Sequence, residues 1–389
     1  MRGFARWMER LGTEGAFEVL MKARGLERRG ERVIHLEIGE PDFDTPRNVK
    51  EAGKRALDEG WTHYTSPAGI LELREAIADR IRETRGVEVD PSKEVVVMPG
   101  AKPCIFASIL ALIDPGDEVL IPSPGYPIYE SVVRFVGAKP VLIPLKEERE
   151  FRLDLEELKE KIGDRAKALI INYPNNPTGA NLTDEDVRAI AEIANDHDLW
   201  VISDEIYSEI VYDGGFRSPI SEPGMKERMI LIDGFSKTYS MTGWRLGYAI
   251  STPEVVERLI RLQINMTSCP AAFAQVAAIE ALRGPQDEVK EMVRTYRRRR
   301  DLMVSRLNSI PGFRCVVPKG AFYAFPNVKE FGMSSRELME YLLEKAHVAT
   351  LNGDAFGLYG EGYLRLSYAT SVENIEEGIA RIKEAVNSL

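Results

Sequence analysis

The stretch "MILIDGFSKTYSMTGWRLGY", from Met229 to Tyr248, opens on an apolar run and then places a lysine where a core strand should end. Met229, Ile230, Leu231 and Ile232 have no polar alternation, so they read as a strand buried on both faces and bounded by Gly234. Lys237 follows within a cluster of hydroxyls, Ser236, Thr238, Ser240 and Thr242, with Arg245 a short way on. An ammonium loses hydration beside a core, so a lysine there needs a partner or a task.

Working outward, the same kind of run recurs. "EVVVMP" from Glu94, "EVLIPS" from Glu118, "KALIINYP" from Lys167 and "LWVISDEIY" from Leu199 are all of strand length, with helical segments between them. "DEDVRAIAEIAND" from Asp184 puts Val187, Ile190, Ala191 and Ala194 on one helix face, with Thr183 as its N-cap. Apolar strands alternating with amphipathic helices predict an α/β fold whose mainly parallel sheet is covered on both sides. Further on, Tyr296 to Ser309 and "SSRELMEYLLEKA" from Ser334 read as helices flanking short strands, a smaller α+β unit.

Composition bounds the rest. The 389 residues suit two or three compact units, with 44% hydrophobic and 29% charged residues. A net charge of −10 argues against non-specific binding to nucleic acid or to an anionic membrane. The run Arg297 to Arg300 reads as a solvated helix face. No stretch is long and apolar enough for a membrane helix, and "MRGFARWMERLG" lacks the features of a secretory leader. Three scattered cysteines and four scattered histidines make neither a disulfide framework nor a metal site, so a cytoplasmic location without a metal is expected.

In an open parallel sheet, ligands bind beyond the carboxyl ends of the strands. Those ends carry "PGAKP" with a helix behind it, "PSPGYPIY" with Tyr126, "NYPNNPTG" with Asn172, Asn175 and Asn176, then Asp204, Glu205 and Tyr207, and finally Ser236, Lys237 and Arg245. A helix N-terminus, hydroxyls and a guanidinium suit a phosphate. A carboxylate suits a protonated ring nitrogen, an asparagine and a tyrosine suit a phenolate oxygen, and a lysine suits an aldehyde. Together they describe a site for pyridoxal phosphate held as a Schiff base.

The chain resembles the class I/II aminotransferases of pyridoxal-phosphate fold type I over nearly its whole length. The motifs that carry the resemblance are "IGEPDFDTP", "HYTSPAGILELREAIA", "PGYPIY", "NYPNNPTG", "SDEIY", "SKTYSMTGWRLGY", "PKGAFYAF" and "YLRLSY". The resemblance implies a large cofactor-binding domain over residues 45–288 and a small domain over 289–389, which the segment 1–44 joins. It further implies that Lys237 is the Schiff-base lysine and general base, and that Asp204 pairs with the ring nitrogen. Asn176 and Tyr207 would contact the phenolic oxygen, and Tyr126 would stack on the ring. Ser236, Arg245 and the backbone of Gly100, Ala101 and Lys102 would hold the phosphate. Arg365 and the backbone of Gly39 would bind the substrate α-carboxylate, and Asn176 would also face the substrate. Tyr64 would reach the neighbouring subunit's phosphate, which implies a homodimer with shared sites. In one respect the pattern departs: Gly234, three before the lysine, supplies no hydroxyl.

The bland readings are a surface lysine, a capping aspartate, turn-forming asparagines, ion-paired arginines and tyrosines that merely pack. The implied reaction moves an amino group between an L-amino acid and a 2-oxo acid. The alternative is a carbon–sulfur β-lyase, since the same cofactor shell serves both; a non-enzymic cofactor-binding regulator is the third reading. Between Arg261 and Arg283 there is no cation to grip a second carboxylate, which favours neutral or aromatic donors over aspartate without excluding it.

Overall fold

The computed structural model describes residues 3–389; Met1 and Arg2, the first residues of the expected N-terminal segment, lie outside it. Twelve strands are present among the described residues. They are β1 (Ile34–His35), β2 (Val95–Met98), β3 (Glu118–Ser123), β4 (Lys139–Pro144), β5 (Ala166–Asn172), β6 (Trp200–Asp204), β7 (Met229–Gly234), β8 (Gly247–Ile250), β9 (Tyr323–Ala324), β10 (Val348–Ala349), β11 (Leu351–Asn352) and β12 (Leu364–Ser367).

Seven of them form the central sheet, in the order β2-β8-β7-β6-β5-β3-β4. All its pairings are parallel except those made by β8, which is antiparallel to both neighbours. Burial explains the continuous apolar runs. Ile170, Ile202, Ile230 and Ile232 face one core, packed with Cys104, Ile105 and Ile109 of the helix Ala101–Leu112. Leu169, Val201 and Leu231 face the other, with Leu73 and Ile77 of the helix Leu71–Arg85. Each such side chain contributes roughly 1.5–3 kcal/mol of transfer free energy. A charge at Ile202 or Ile230, both fully buried, would therefore break the sheet at its centre.

Two strands differ from the sequence reading. β4 contains Pro140 and Pro144, which weaken its strand signal and suit the sheet edge it occupies. β8 is the short "GYAI", whose antiparallel pairing no local pattern announces. The helix expected from Asp184 spans Asp184–Asp196, with Thr183 and Asp186 closing a reciprocal capping box.

Away from this sheet, β11, β12 and β9 form an antiparallel three-stranded sheet, and β1 pairs with β10 in parallel. The helices Asp287–Leu307 and Val372–Val386 pack against each other beside them. The reading of Arg297 to Arg300 as a solvated face is corrected here. Arg299 and Arg300 are buried, Arg299 on Asp42 at 2.8 Å and Arg300 on Asp213 at 2.6 Å, because the helix turns those two positions toward neighbouring segments. No helix is long and apolar enough to cross a membrane among the described residues.

Candidate active site

The carboxyl ends of the central strands open into a cavity of about 370 Å³. Asp204 ends β6, and its neighbour β7 leads through Gly234 to Ser236 and Lys237. Side chains alternate along β6, so Asp204 points toward the cavity while Glu205 points to the opposite face. A Cβ at Gly234 would lie 3.0 Å from the Gly247 Cα and 3.2 Å from the Ile206 side chain. A serine at this position would require β8 and Ile206 to give by a few tenths of an ångström, and glycine fits without that shift.

Lys237 is buried apart from the side it turns to the cavity, and its Nζ donates to the Gly39 carbonyl at 2.6 Å. Burial pushes this amine down to about 8; nearby Glu40 opposes the shift, while Arg365, Lys102 and Arg245 add to it. Asp204 shifts the other way. Burial raises its carboxyl to about 6, against a hydrogen bond from the Tyr129 hydroxyl at 2.7 Å and one from the Ile206 N–H at 3.2 Å. The main chain of Asp204 is held as well, its carbonyl accepting from the Asn172 amide at 2.9 Å. The Asn172 Oδ1 in turn accepts from the Asn176 N–H at 2.9 Å, tying one strand end to the next.

Arg365 enters from β12 and is buried. Its Nη1 donates to Asn176 Oδ1 at 3.1 Å, its Nη2 donates to the Glu37 carbonyl, and the ring centres of Tyr323 and Phe356 lie 4.5 and 4.9 Å from its guanidinium. Its Nε is buried and has no acceptor. Tyr207 also borders the cavity, its hydroxyl 2.7 Å from that of Tyr323.

The phosphate-type features gather at one end. Gly100 caps the helix Ala101–Leu112, whose first N–H groups have no partner within the helix. Gly247 passes so close that a Cβ there would stand 2.5 Å from the Ala101 nitrogen, so only glycine lets β8 support this turn. Arg245 is exposed beside it, its guanidinium resting on the carbonyls of Thr242 at 2.8 Å and Pro99 at 3.3 Å, and Ser236 completes the group. At another wall, Lys102 pairs with Glu14, and the Tyr126 hydroxyl donates to the same carboxylate at 3.1 Å.

Most of the predicted site residues thus meet in one cavity. Tyr64 does not: it is 89% exposed and borders a separate surface depression with Trp61 and Ala272. Sequence reasoning missed Glu14, Tyr129 and Tyr323. Tyr129 lies three residues after Tyr126 and Tyr323 within the quoted "PKGAFYAF", so both were within reach; nothing around Glu14 marks it.

The family model for aminotransferase class I and II matches residues 31–382. The chain belongs to that family. The aromatic-amino-acid aminotransferase 2 of Thermococcus litoralis is 46% identical, over 92% of each chain. The aspartate aminotransferase of Pyrococcus abyssi is also 46% identical, over 91% of this chain and 92% of its own. The crystal structure of the aspartate aminotransferase from Rhizobium meliloti superposes with a TM-score of 0.95 at 38% identity, covering 100% of this chain and 99% of its own. This aminotransferase is accordingly a pyridoxal-phosphate enzyme with the aspartate-aminotransferase fold, and the lyase alternative is not favoured. The cavity fits that cofactor: an acid for the ring nitrogen, an amine for the aldehyde, and a helix start with a guanidinium for the phosphate.

Proposed function

We propose that this aminotransferase takes its amino group from a neutral or aromatic L-amino acid, with Lys237 both anchoring the cofactor and moving the substrate α-proton. The observation that carries the reading is the buried Lys237 amine, held at about 8 on a backbone carbonyl and surrounded by further cations. An amine so depressed is about one-tenth uncharged at pH 7 and half uncharged at pH 8, far more than an ordinary lysine, which favours its use as anchor and base. When bound, pyridoxal phosphate supplies an electron sink for the charge left as the α-proton departs.

The residues around it divide the remaining work. Asp204 would hold the ring nitrogen protonated, and Asn176 and Tyr207 would hydrogen-bond the phenolic oxygen. Tyr126 would lie against the ring. Ser236, Arg245 and the backbone at Gly100, Ala101 and Lys102 hold the phosphate. Arg365 would grip the substrate α-carboxylate together with the Gly39 backbone, since both line the cavity. Glu14 supports the donor preference, since it already occupies Lys102 and leaves it less available to a second carboxylate.

Of the expected small domain, the part around β1 joins residues 289–389 beside a large domain of 45–288, a division supported by the pairing of β1 with β10, whereas Trp7 and Gly12 rest on Phe135 and Ser131 of the large domain. The functional unit is a homodimer in which Tyr64 serves the partner's phosphate. That assignment is supported by the exposure of Tyr64 and, nearby in sequence, of Leu57 (48%) and Leu71 (44%). Three free cysteines fit a cytoplasmic setting. The test is to mix cofactor-loaded protein with single amino acids while following its visible spectrum and assaying products. Stoichiometric 2-oxo acid from phenylalanine or alanine, faster than from aspartate, is the expected result; faster conversion of aspartate would overturn the donor assignment.

A further inference from the structure

Behind the sheet, on the face opposite Asp204, lies a charged cluster to which the reaction assigns no task. Glu205 follows Asp204, and its N–H donates to the Ile232 carbonyl at 2.8 Å, so Glu205 and Asp233 stand one step beyond the paired Asp204 and Ile232, on neighbouring strands. Like charges at such cross-strand positions repel. Arg85, the last residue of the helix Leu71–Arg85, is inserted between them, its Nη2 donating to Glu205 Oε2 at 3.2 Å and to Asp233 Oδ2 at 3.1 Å. All three side chains are buried. Ser203 and Ser218 donate to Glu205 Oε1, Ser208 joins Arg85 on Asp233 Oδ2, and the Gly234 N–H donates to Asp233 Oδ1 at 2.7 Å.

A need for stability alone explains this poorly. A buried ion trio is often replaceable by apolar groups without loss, and here two acids share one cation. Burial raises Glu205, and raises Asp233 to about 7, and in each case Arg85 is the strongest pull back toward the ionised form. The other charged and titratable groups packed around Asp233 are the Arg80–Glu209 pair, at 2.6 Å, and the Tyr239 and Tyr248 hydroxyls. What the trio does geometrically is hold two strand ends together. One end continues from Asp204 and the other leads, through the packed Gly234, to Lys237 four residues after Asp233.

We propose that Arg85 is a positioning residue for transamination: by clamping Glu205 to Asp233 from behind the sheet, it sets how Asp204 and Lys237 stand relative to each other at the front. The inference rests on the roles given above to Asp204 and Lys237.

Arg85→Met and Glu205→Gln test it in the cofactor-loaded protein. Three quantities are read: the pH midpoint of the visible spectrum, kcat and KM for one amino donor, and the melting temperature. Both variants should shift the spectral midpoint by about half a pH unit or more, because the electrostatic setting of the Lys237–cofactor linkage changes. Both should lower kcat about tenfold with little change in KM, as a small misplacement of reacting groups does. If Arg85→Met does not fold, Glu205→Gln decides, since it keeps the side chain's size while removing its charge and leaving one acceptor oxygen for Arg85 and the serines to share. A lowered melting temperature with unchanged midpoint and unchanged kcat overturns the proposal. Lys237→Ala separates the two levels: if it abolishes turnover while the Arg85 and Glu205 variants are silent, only the clamp fails, and if it stays active the underlying site assignment fails.

Discussion

Asp204→Asn should make the cofactor-free protein more stable at neutral pH and less able to use its cofactor. In the folded chain burial raises the Asp204 carboxyl from 3.8 to about 6. At 1.36 kcal/mol per unit, ionising it at pH 7 costs the fold about 3 kcal/mol. The sign follows from proton counting. Between the two pKa values the native state binds more protons than the unfolded chain, so this contribution lowers stability as pH rises from about 4 to about 6 and is constant above. Asparagine does not titrate. The stability difference between variant and wild type should therefore grow in the variant's favour by about 3 kcal/mol from pH 4 to pH 7. The absolute gain should be smaller, since the amide disturbs the Tyr129 hydrogen bond, an effect of about 1 kcal/mol. With cofactor present the order should reverse, because a protonated ring nitrogen gives the carboxylate its missing counter-charge. The assay is urea unfolding at fixed protein concentration across pH 4–8, with and without pyridoxal phosphate. A pH-independent difference in the cofactor-free state, or equal stabilisation of both proteins by cofactor, would refute the reasoning.

Arg365→Lys should raise donor KM by roughly 10- to 100-fold, about 1.4–2.8 kcal/mol, because an ammonium cannot reproduce a planar two-pronged contact. The visible spectrum of the resting, cofactor-loaded protein should be unchanged; steady-state kinetics and spectroscopy check the two halves. Glu14→Gln should free Lys102 and lower KM for aspartate by about two- to fivefold, the scale of a partly exposed pair, while leaving KM for phenylalanine alone. Lys237→Ala and Tyr64→Ala should each be inactive as pure proteins, yet mixed dimers refolded from both should recover up to about half of wild-type activity, since one site of the two is intact. No recovery in verified hybrids would refute the shared-site assignment of Tyr64.

The sequence made the centre of the molecule legible because burial on both faces leaves a coarse mark. Glu118–Ser123 and Met229–Gly234 are strands to the residue, and Asp204 and Lys237 stand at strand ends where the apolar runs stop. What stayed hidden depends on pairing between distant segments. Gly247–Ile250 is a strand only because β2 and β7 flank it, and Lys139–Pro144 only because an edge tolerates its prolines. Arg299 and Arg300 look like their exposed neighbours until the chain supplies Asp42 and Asp213. Glu14 shares the cavity wall with Lys102 across 88 residues of chain, a distance over which no local pattern operates.

The pairing of β1 with β10 also fixes an order of events during synthesis. Gly39 receives Lys237 from 198 residues downstream, and the Glu37 carbonyl receives Arg365 from 328 residues downstream. A chain emerging from the ribosome can close most of its central sheet while Ile34 and Leu36, both buried in the finished molecule, still lack β10. The strand Ile34–His35 is thus made early and covered late, and the contact of Arg365 with Glu37 cannot form before nearly the whole polypeptide has been made. Nascent or C-terminally truncated chains could then carry Lys237 while β1 lacks its partner strand and the Glu37 carbonyl lacks Arg365.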